Sequence, residues 1–519
     1  MASSDRRKRC IRIRRGTSCK FCTERKLQCS IIPELSRSPE KVYGPADDRR
    51  LSSTRCSSTA LLDQDLSVEL AELYFRHVQN AFPHVFHRPS FMVAVRKKTV
   101  PRLLFFAAIS LSARFSSNPC FDGVNPRDRG RPYAKEAEKL LDLHETSLAT
   151  IQACILLAIH SMAECEANTE SVYFVVACRM AMLLDLPNAP TKTSIEKEVN
   201  CRVWWSLVTM DTWSSAALHL PRSIIPGKDV PLPMDEWTFA HLSGDERSLT
   251  ESPGGIQPLQ PGQPSLSFLA HLVRLNRLLN EVYKLSVAIV AEDVQGEALG
   301  RSIRDLSRSL DSWASGLPAE IRYTEANVSF WAEQGFGRPF IVLHINYNHA
   351  GQLLYYQFLS FDTESNRAIS TDSALAYANS CKAHAANICD ITYQAKQSPE
   401  TDGLGTLSGH VLVIASTVQL HGLLFNVHDE EIALAKIRLE RNFELLTHLH
   451  TYWSNVGISF SRLRAFHDAC LKNEDTLFRL DRWMLQFMLE FSRPIDNKDK
   501  SVCTSRELLR PLDQLIDGP

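Results

Sequence analysis

Helical periodicity from residue 67 to residue 493 restricts the fold of this chain more than any other feature. The i, i+3, i+4, i+7, i+8 spacing of one helix face begins with Leu70, Leu73, Tyr74, His77 and Val78. No stretch alternates apolar and polar residues as a half-buried strand would, so we expect an all-α fold. The same spacing predicts helices at about 101–115, 132–145, 148–164, 170–186, 267–293, 295–315, 338–360, 370–396, 407–426, 431–454 and 473–492.

Breaks in this pattern divide the chain into regions. Residues 36–66 are rich in Ser, Pro, Arg and Asp, which is typical of a disordered linker, and they contain no a/d repeat that would pair two chains. Residues 243–266 are rich in Pro, Gly and Gln and are expected to form a mobile insertion. We therefore expect a small N-terminal module at 1–35, a large helical domain at 67–493 and a loosely ordered tail at 494–519.

Proline residues predict two interruptions within the helical domain. Pro83 and Pro89 are expected to end the first helix, because proline lacks the amide donor and its ring clashes with the preceding turn. A later helix places Trp204, Leu207, Val208 and Asp211 on one face, and the prolines that follow it predict an extended segment.

Charge is concentrated at the N-terminus. Residues 1–29 carry a net +8, and since the whole chain has a net charge of −1, the other 490 residues carry −9. A small basic N-terminal segment (the basic head) followed by an acidic remainder favours a nucleic-acid-binding module attached to a larger effector domain. The charged N-terminus does not resemble a secretory signal. The apolar runs at 103–111 and 151–159 are too short to cross a membrane, so no membrane partner is expected.

Four cysteines lie within the basic head, in the pattern Cys10-x8-Cys19-x2-Cys22-x6-Cys29. Thiolates at such short spacing can form a tetrahedral zinc site, and zinc can fold a segment too small to hold a core. The alternative interpretation is a disordered basic tail or a nuclear import signal.

The segment from Cys19 to Cys29 resembles the second half of the fungal binuclear zinc cluster, a DNA-binding module with six cysteines and two zinc ions. Arg6–Cys10 resembles the end of its first half. The position of the preceding cysteine is occupied by Ser3, so this chain holds four of the six ligands. We expect at most one zinc ion, bound by Cys10, Cys19, Cys22 and Cys29. Either the true start lies upstream or the cluster has degenerated.

Three further segments resemble successive signatures of the fungal transcription-factor regulatory domain, the middle homology region. They are Tyr74–Phe91, Ala177–Pro187 and Arg202–Pro233, in the order that the family shows. This chain has Asp185 where the family usually has glycine, and Leu220-Pro221-Arg222 where it has Gly-Arg-Pro.

The resemblance implies a nuclear, zinc-dependent regulator of RNA polymerase II genes. Regulators of this family often control metabolic or secondary-metabolite pathways. It implies double-stranded DNA with CGG-like triplets and the transcription machinery as partners, and it is compatible with a homodimer. Base and phosphate contacts would come from Arg6, Arg7, Lys8 and Arg9, and phosphate contacts from Lys20, Arg25 and Lys26. The alternative is a helical co-regulator that has lost a working cluster and does not bind DNA.

Other candidates for chemistry are expected to be structural. Cys154, His160 and Cys165 lie on or beside apolar helices without a nucleophile elbow or an oxyanion loop. The histidines at positions 77, 84 and 87 match the regulatory-domain signature better than a metal site. Arg179 and Asp211 are predicted to pair inside the helical bundle, since a buried charge requires a partner. Phosphate-binding glycine loops are missing from the sequence, so no enzyme is expected.

The predicted buried stripe of the 170–186 helix comprises Tyr173, Val176, Ala177, Met180 and Leu184.

Overall fold

The computed structural model describes residues 63–498 except 80–81, 228, 243–265, 362–368, 403–404, 426–427, 471–477 and 497. All regular secondary structure in these residues is helical, which confirms the all-α prediction. The first helices are α1 Gln64–Tyr74, α2 Arg88–Arg96, α3 Arg102–Ser112, α4 Arg131–Leu140, α5 Leu148–Ala163, α6 Ala167–Leu183, α7 Ser194–Leu218 and α8 Glu236–His241. They are followed by α9 Phe268–Val290, α10 Gly296–Ser315, α11 Glu325–Glu333, α12 Gly337–Tyr355, α13 Thr371–Ala395, α14 Ser408–Phe425, α15 Asp429–Tyr452, α16 Val456–Cys470 and α17 Arg482–Leu489.

Side-chain caps explain where several helices begin. The Thr193 hydroxyl accepts a hydrogen bond from the Glu196 amide at the start of α7, and Ser267 accepts one from Ala270 at the start of α9. Such a cap satisfies an amide that has no partner within the helix and stabilises it by about 1 kcal/mol. Equivalent caps are provided by Ser147, Asp235, Thr324, Ser370 and Asp481.

The helices form two groups that share one hydrophobic core. In the N-terminal group, α5 packs against α3 and α6, and α6 also contacts α7. In the C-terminal group, α12 packs on α9 and α13, and α14 lies between α13 and α15. The groups meet where α7 contacts α9 and where Arg114 Nη1 donates to the Tyr452 carbonyl at 2.9 Å. The core therefore extends through both groups.

Differences between the predicted and observed helices follow from proline and from packing. Pro89 lies in the first turn of α2, where proline is tolerated because the amides there have no partner within the helix, so this helix was missed. The short helices α8 and α11 and the amphipathic helix α16 were also missed. The helix predicted at 473–492 extends only over Arg482–Leu489 in the described residues.

The helix α14 is the single described helix that is long and apolar enough to cross a membrane. Of that segment, 78% is buried inside the protein. Its neighbours α13, α15 and α16 supply that cover. It therefore has the features of a core helix, and it is a longer apolar segment than the two runs identified in the sequence.

The turn after α6 gives a structural reason for the glycine that the resembled fungal family usually has where this chain has Asp185. Asp185 has a φ of +45° and a ψ of 52°, in the left-handed region where a Cβ atom is unfavourable. The Asp185 carboxylate partly offsets this steric cost, because both of its oxygens accept hydrogen bonds from the side-chain Nδ2 of Asn188, at 3.0 and 3.2 Å. The change from glycine is therefore tolerated by this fold.

We expect Asp185→Ala to lower the free energy of unfolding by about 1 kcal/mol, because alanine retains the Cβ atom and loses the local hydrogen bond. In contrast, Asp185→Gly should be at least as stable as the unmodified chain, because glycine adopts positive φ without steric cost. Urea unfolding of both variants measures the difference. Equal stability of the two variants would show that the left-handed conformation is not maintained.

Candidate functional site

The residues predicted to bind zinc and DNA lie outside the described part of the chain. They are Cys10, Cys19, Cys22 and Cys29 for zinc, and Arg6, Arg7, Lys8, Arg9, Lys20, Arg25 and Lys26 for DNA. Within residues 63–498, apart from the gaps given above, no group of three or more His, Cys, Asp or Glu residues is placed to hold a metal ion. The site whose geometry the structure does provide is the junction of the three regulatory-domain signatures.

The first signature folds back on α5 and α7. The Gln79 side chain pairs with the backbone of Phe86, donating to its carbonyl at 2.7 Å and accepting from its amide at 3.0 Å. Gln152 on α5 donates to the Val85 carbonyl at 2.6 Å. The His84 amide donates to the Ser206 hydroxyl of α7 at 3.3 Å. These contacts hold the proline-containing loop against the central helices without using the histidine rings.

A buried ionic cluster on α7 lies beside this loop. Arg202 Nε donates to Glu198 Oε1 at 2.7 Å, and Arg202 Nη1 lies 3.7 Å from Glu236 Oε1 of α8. The guanidinium also donates to the Met234 carbonyl at 2.7 Å and stacks on the Phe239 ring at 4.2 Å. Arg202 is 2% exposed and each glutamate 6% exposed. Two carboxylates therefore share one guanidinium away from water, which we call the Arg202 cluster (Glu198, Arg202 and Glu236).

The Arg202 cluster connects the second group of helices to the first. Glu236 accepts hydrogen bonds from the amides of Phe268 and Leu269 at 2.8 and 3.1 Å, at the N-terminus of α9. A carboxylate at this position satisfies amides without helical partners and interacts favourably with the helix dipole. Glu198 accepts from the Met234 amide at 3.1 Å, which fixes the extended segment after α7. The cluster therefore positions three segments that are distant in sequence.

Electrostatics in this junction are governed by burial. Burial raises the pKa of Glu198 to about 7, although Arg202 opposes the shift. Burial also raises the pKa of Glu236, again against the attraction of Arg202. The pKa of His84 is lowered to about 3 by burial and by the nearby Arg202 charge, so this ring is neutral at physiological pH. A neutral, buried ring agrees with the structural interpretation of the histidines.

The predicted pair of Arg179 and Asp211 is wrong. Asp211 is buried and accepts from Arg222 Nε at 3.1 Å, from the Ser223 amide at 3.0 Å and from the Ile224 amide at 3.3 Å. Arg179 is exposed on the opposite side of α6. The chain turns back after α7, and this turn brings Arg222 to Asp211 from only eleven residues away. The segment with Arg222 in place of the family's usual residues is therefore fixed by the α7 carboxylate.

The cysteine and histidine side chains considered for catalysis do not form a shared site. Cys154 is buried, and burial raises the pKa of its thiol to about 12. Burial, together with the charges of Arg114 and Arg131, lowers the pKa of His160 to about 3. Cys165 is exposed, so it does not belong to the hydrophobic core. A positive φ of 67° at Cys165 places it in the turn between α5 and α6 instead.

A cavity of about 400 Å³ lies between α10, α12 and α13. Its polar lining is paired within the protein: the Tyr323 hydroxyl donates to Gln394 Oε1 at 3.1 Å, and the Asn387 amide donates to Asn348 Oδ1 at 3.2 Å. Asp390 forms an ion pair with Arg438 at 2.7 Å. The cavity volume is at the lower end of the range for ligand pockets, but these polar groups already form hydrogen bonds or an ion pair within the protein.

Comparison with known proteins gives this junction a context. Residues 71–315 match the family described as the fungal specific transcription factor domain. The match begins in α1 and ends with α10, so it includes all three signatures and the Arg202 cluster.

Three relatives are fungal regulators. The chain is 26% identical over 363 residues to an uncharacterized transcriptional regulatory protein of Schizosaccharomyces pombe, covering 64% of this chain and 36% of that protein. It is 23% identical over 423 residues to a Zn(2)-C6 fungal-type transcription factor of Fusarium oxysporum f. sp. lycopersici, covering 76% and 44%. It is 25% identical over 379 residues to activator of stress genes 1 of Saccharomyces cerevisiae, covering 67% and 36%. The chain thus spans less than half the length of these relatives. Residues 71–315 are therefore similar to the fungal specific transcription factor domain, the family whose model they match.

Proposed function

We propose that this chain is a nuclear transcription regulator that binds DNA sequence-specifically through a zinc-stabilised N-terminal module. The observation that carries the proposal is the regulatory domain at residues 71–315, preceded in the same chain by four cysteines among ten basic residues. Relatives named as Zn(2)-C6 transcription factors support this combination. The proposal is for a regulator and not for an enzyme.

The thiolates of Cys10, Cys19, Cys22 and Cys29 would hold one zinc ion, for which four sulfur ligands are a suitable donor set. Arg6, Arg7, Lys8 and Arg9 would contact bases and phosphates in CGG-like triplets, and the other basic residues would contact phosphates. The helical domain would then transmit regulation to the transcription machinery.

A second candidate function is a helical co-regulator that acts through other proteins and does not bind DNA. The observation in its favour is that four cysteines stand where the zinc-cluster family has six. Because the helical domain is large and has its own hydrophobic core, it could act on other proteins without a DNA-binding module.

The test uses the full-length chain and a labelled duplex that contains CGG triplets. We expect one zinc ion per chain and DNA binding that weakens when Arg7→Ala and Lys8→Ala are combined. Loss of two phosphate contacts should also lower the slope of log affinity against log salt by about 2. Fluorescence anisotropy at several salt concentrations and elemental analysis measure both quantities.

Two further variants serve as controls. Cys22→Ser should remove zinc and DNA binding together, whereas Arg301→Ala, an exposed position on α10, should leave both unchanged. Two zinc ions per chain would contradict the four-cysteine assignment. A folded chain without zinc and without affinity for any CGG-containing duplex would favour the co-regulator instead.

A further inference from the structure

One face of α6 is apolar and exposed. Val172 is 61% exposed, Val175 48% and Leu183 69%, and Met182 is 37% exposed. The helix is apolar on its inner face as well, where Phe174, Ala177, Cys178, Met180 and Ala181 are buried. Of the predicted buried stripe, Ala177 and Met180 are buried, whereas Tyr173, Val176 and Leu184 are only half-buried. A surface helix normally has polar residues on its outer face, so this outer face requires an explanation.

The outer residues follow the spacing of a coiled-coil seam. Asn168, Val172, Val175, Arg179 and Met182 are separated by alternating steps of four and three residues, and we call these five residues the α6 seam. The seam is about 21 Å long at 1.5 Å per residue. All five members of the seam are exposed, including Met182 at 37%, so the seam is accessible to a second helix. The linker at 36–66 has no such repeat.

We propose that the α6 seam is a homodimer interface, in which it pairs antiparallel with the α6 seam of a second copy of this chain. In the antiparallel arrangement with Val172 opposite the partner's Val175, each Asn168 lies opposite the partner's Arg179. Two apolar layers are then flanked by two layers in which a guanidinium faces an amide oxygen. A parallel arrangement would place Arg179 against the partner's Arg179, and like charges in a seam are destabilising.

Charge distribution along α6 favours the same orientation. The N-terminal end of α6 is acidic, with Glu138, Glu164 and Glu166 close together and Arg131 as their cation, 2.7 Å from Glu164. Burial and the charges of the other two glutamates raise the pKa of Glu166. Arg179, near the C-terminal end, has no ion pair within the described residues. Antiparallel pairing therefore brings each Arg179 to the acidic end of the other copy.

The contact can extend beyond the seam. Leu140 is 38% exposed and Leu143 49% exposed, and both follow Glu138, which hydrogen-bonds Tyr173 of α6. These leucines thus add apolar area at the side of the seam, toward the roughly 1,200 Å² that a stable interface requires. Asn168 Oδ1 already accepts from Arg493 Nη2 at 2.9 Å, so the partner's Arg179 would approach a second cation there, beside the three glutamates.

Sedimentation equilibrium of the full-length chain without DNA tests the interface. We expect the unmodified chain at twice its mass of 58.5 kDa and the Val175→Glu variant at 58.5 kDa. The dimer dissociation constant should rise at least about 100-fold, because each dimer would bury two carboxylates in the apolar layers formed by Val172 and Val175. The thermal unfolding midpoint of the monomer should be unchanged, since Val175 is exposed. Leu375→Glu, at a position 61% exposed on α13, is the matched control and should remain dimeric.

Disulfide trapping tests the orientation. In a Cys165→Ser background, a Val172→Cys chain mixed with a Val175→Cys chain should form a heterotypic cross-link under mild oxidation. Preferential cross-linking of Val172→Cys to itself would indicate a parallel pair and overturn the register. A monomeric unmodified chain at about 50 μM, or a Val175→Glu variant that still dimerises, would overturn the interface itself. Since no DNA is present, these outcomes are independent of the proposed DNA binding.

Discussion

Replacing Arg202 by methionine is expected to lower the free energy of unfolding by about 3–5 kcal/mol. The change removes the one guanidinium that Glu198 and Glu236 share and leaves two carboxylates in a site where each is 6% exposed. It also removes the hydrogen bond to the Met234 carbonyl and the stacking on Phe239. Urea unfolding followed by circular dichroism measures the loss.

The loss should depend on pH. The pKa of Glu198 is raised to about 7 in the folded protein from 4.5, so stability associated with its protonation is present at low pH and is lost as pH rises through 7. Without Arg202, the pKa values of both glutamates should rise further, because the opposing attraction is gone. Relative to the unmodified chain, the variant should therefore be destabilised more above pH 7 than between pH 4.5 and 7, because Glu198 is protonated in both folded proteins in the lower range.

Two variants isolate the buried charge as the cause. Adding Glu198→Gln to Arg202→Met should recover part of the lost stability, because glutamine still accepts from the Met234 amide and carries no charge. Arg304→Met is the matched control: its ion pair with Glu297 is exposed at 46% and 62%, and its loss should cost less than about 0.5 kcal/mol. Equal losses for Arg202→Met and Arg304→Met would show that the cluster does not stabilise the fold.

Gly130→Ala should lower the free energy of unfolding by about 3 kcal/mol, at the upper end of the range for overpacking. Gly130 precedes α4 and lies against α3. A Cβ atom at this position would be 1.9 Å from the Ser110 carbonyl oxygen and 2.9 Å from the Ser110 carbonyl carbon. Because both neighbours are backbone atoms of a helix, they cannot move aside as a flexible side chain would. Either α4 must shift away from α3 or the contact must break.

Gly227→Ala is the control for Gly130→Ala. The nearest atom to a Cβ at position 227 is Val230 Cγ2 at 3.9 Å, an ordinary van der Waals distance. Its stability should change by less than about 0.5 kcal/mol. Thermal unfolding of both variants measures the difference, and a Gly130→Ala variant as stable as Gly227→Ala would mean that α3 and α4 do not approach as closely as in this structure.

Helix positions were largely predictable because helical periodicity is local. The faces of α1, α5, α9, α12 and α13 are encoded in residues three and four apart, and the structure places helices within a few residues of those predictions. Among the helices that were missed, α2 has a proline in its first turn, and α8 and α11 are only six and nine residues long. Asp185 is also a local feature. Its left-handed backbone alone accounts for the glycine that the resembled family usually has at this position.

The partners in the candidate site were not predictable to the same degree. Glu198 and Arg202 are one helical turn apart on an apolar helix, so their pairing could have been found from the sequence. Glu236 could not, because it reaches Arg202 only through the path of the extended segment after α7.

The all-α class, most helix positions and the resemblance to a fungal regulatory domain could be predicted from local patterns, because they depend on the order and spacing of nearby residues. Two features required the three-dimensional packing: the pairing of Asp211 with Arg222 instead of Arg179, and the apolar face of α6 that is left exposed. Many cations in the chain are chemically equivalent partners for a buried carboxylate. The choice among them is made by the path of the backbone, which local spacing does not specify.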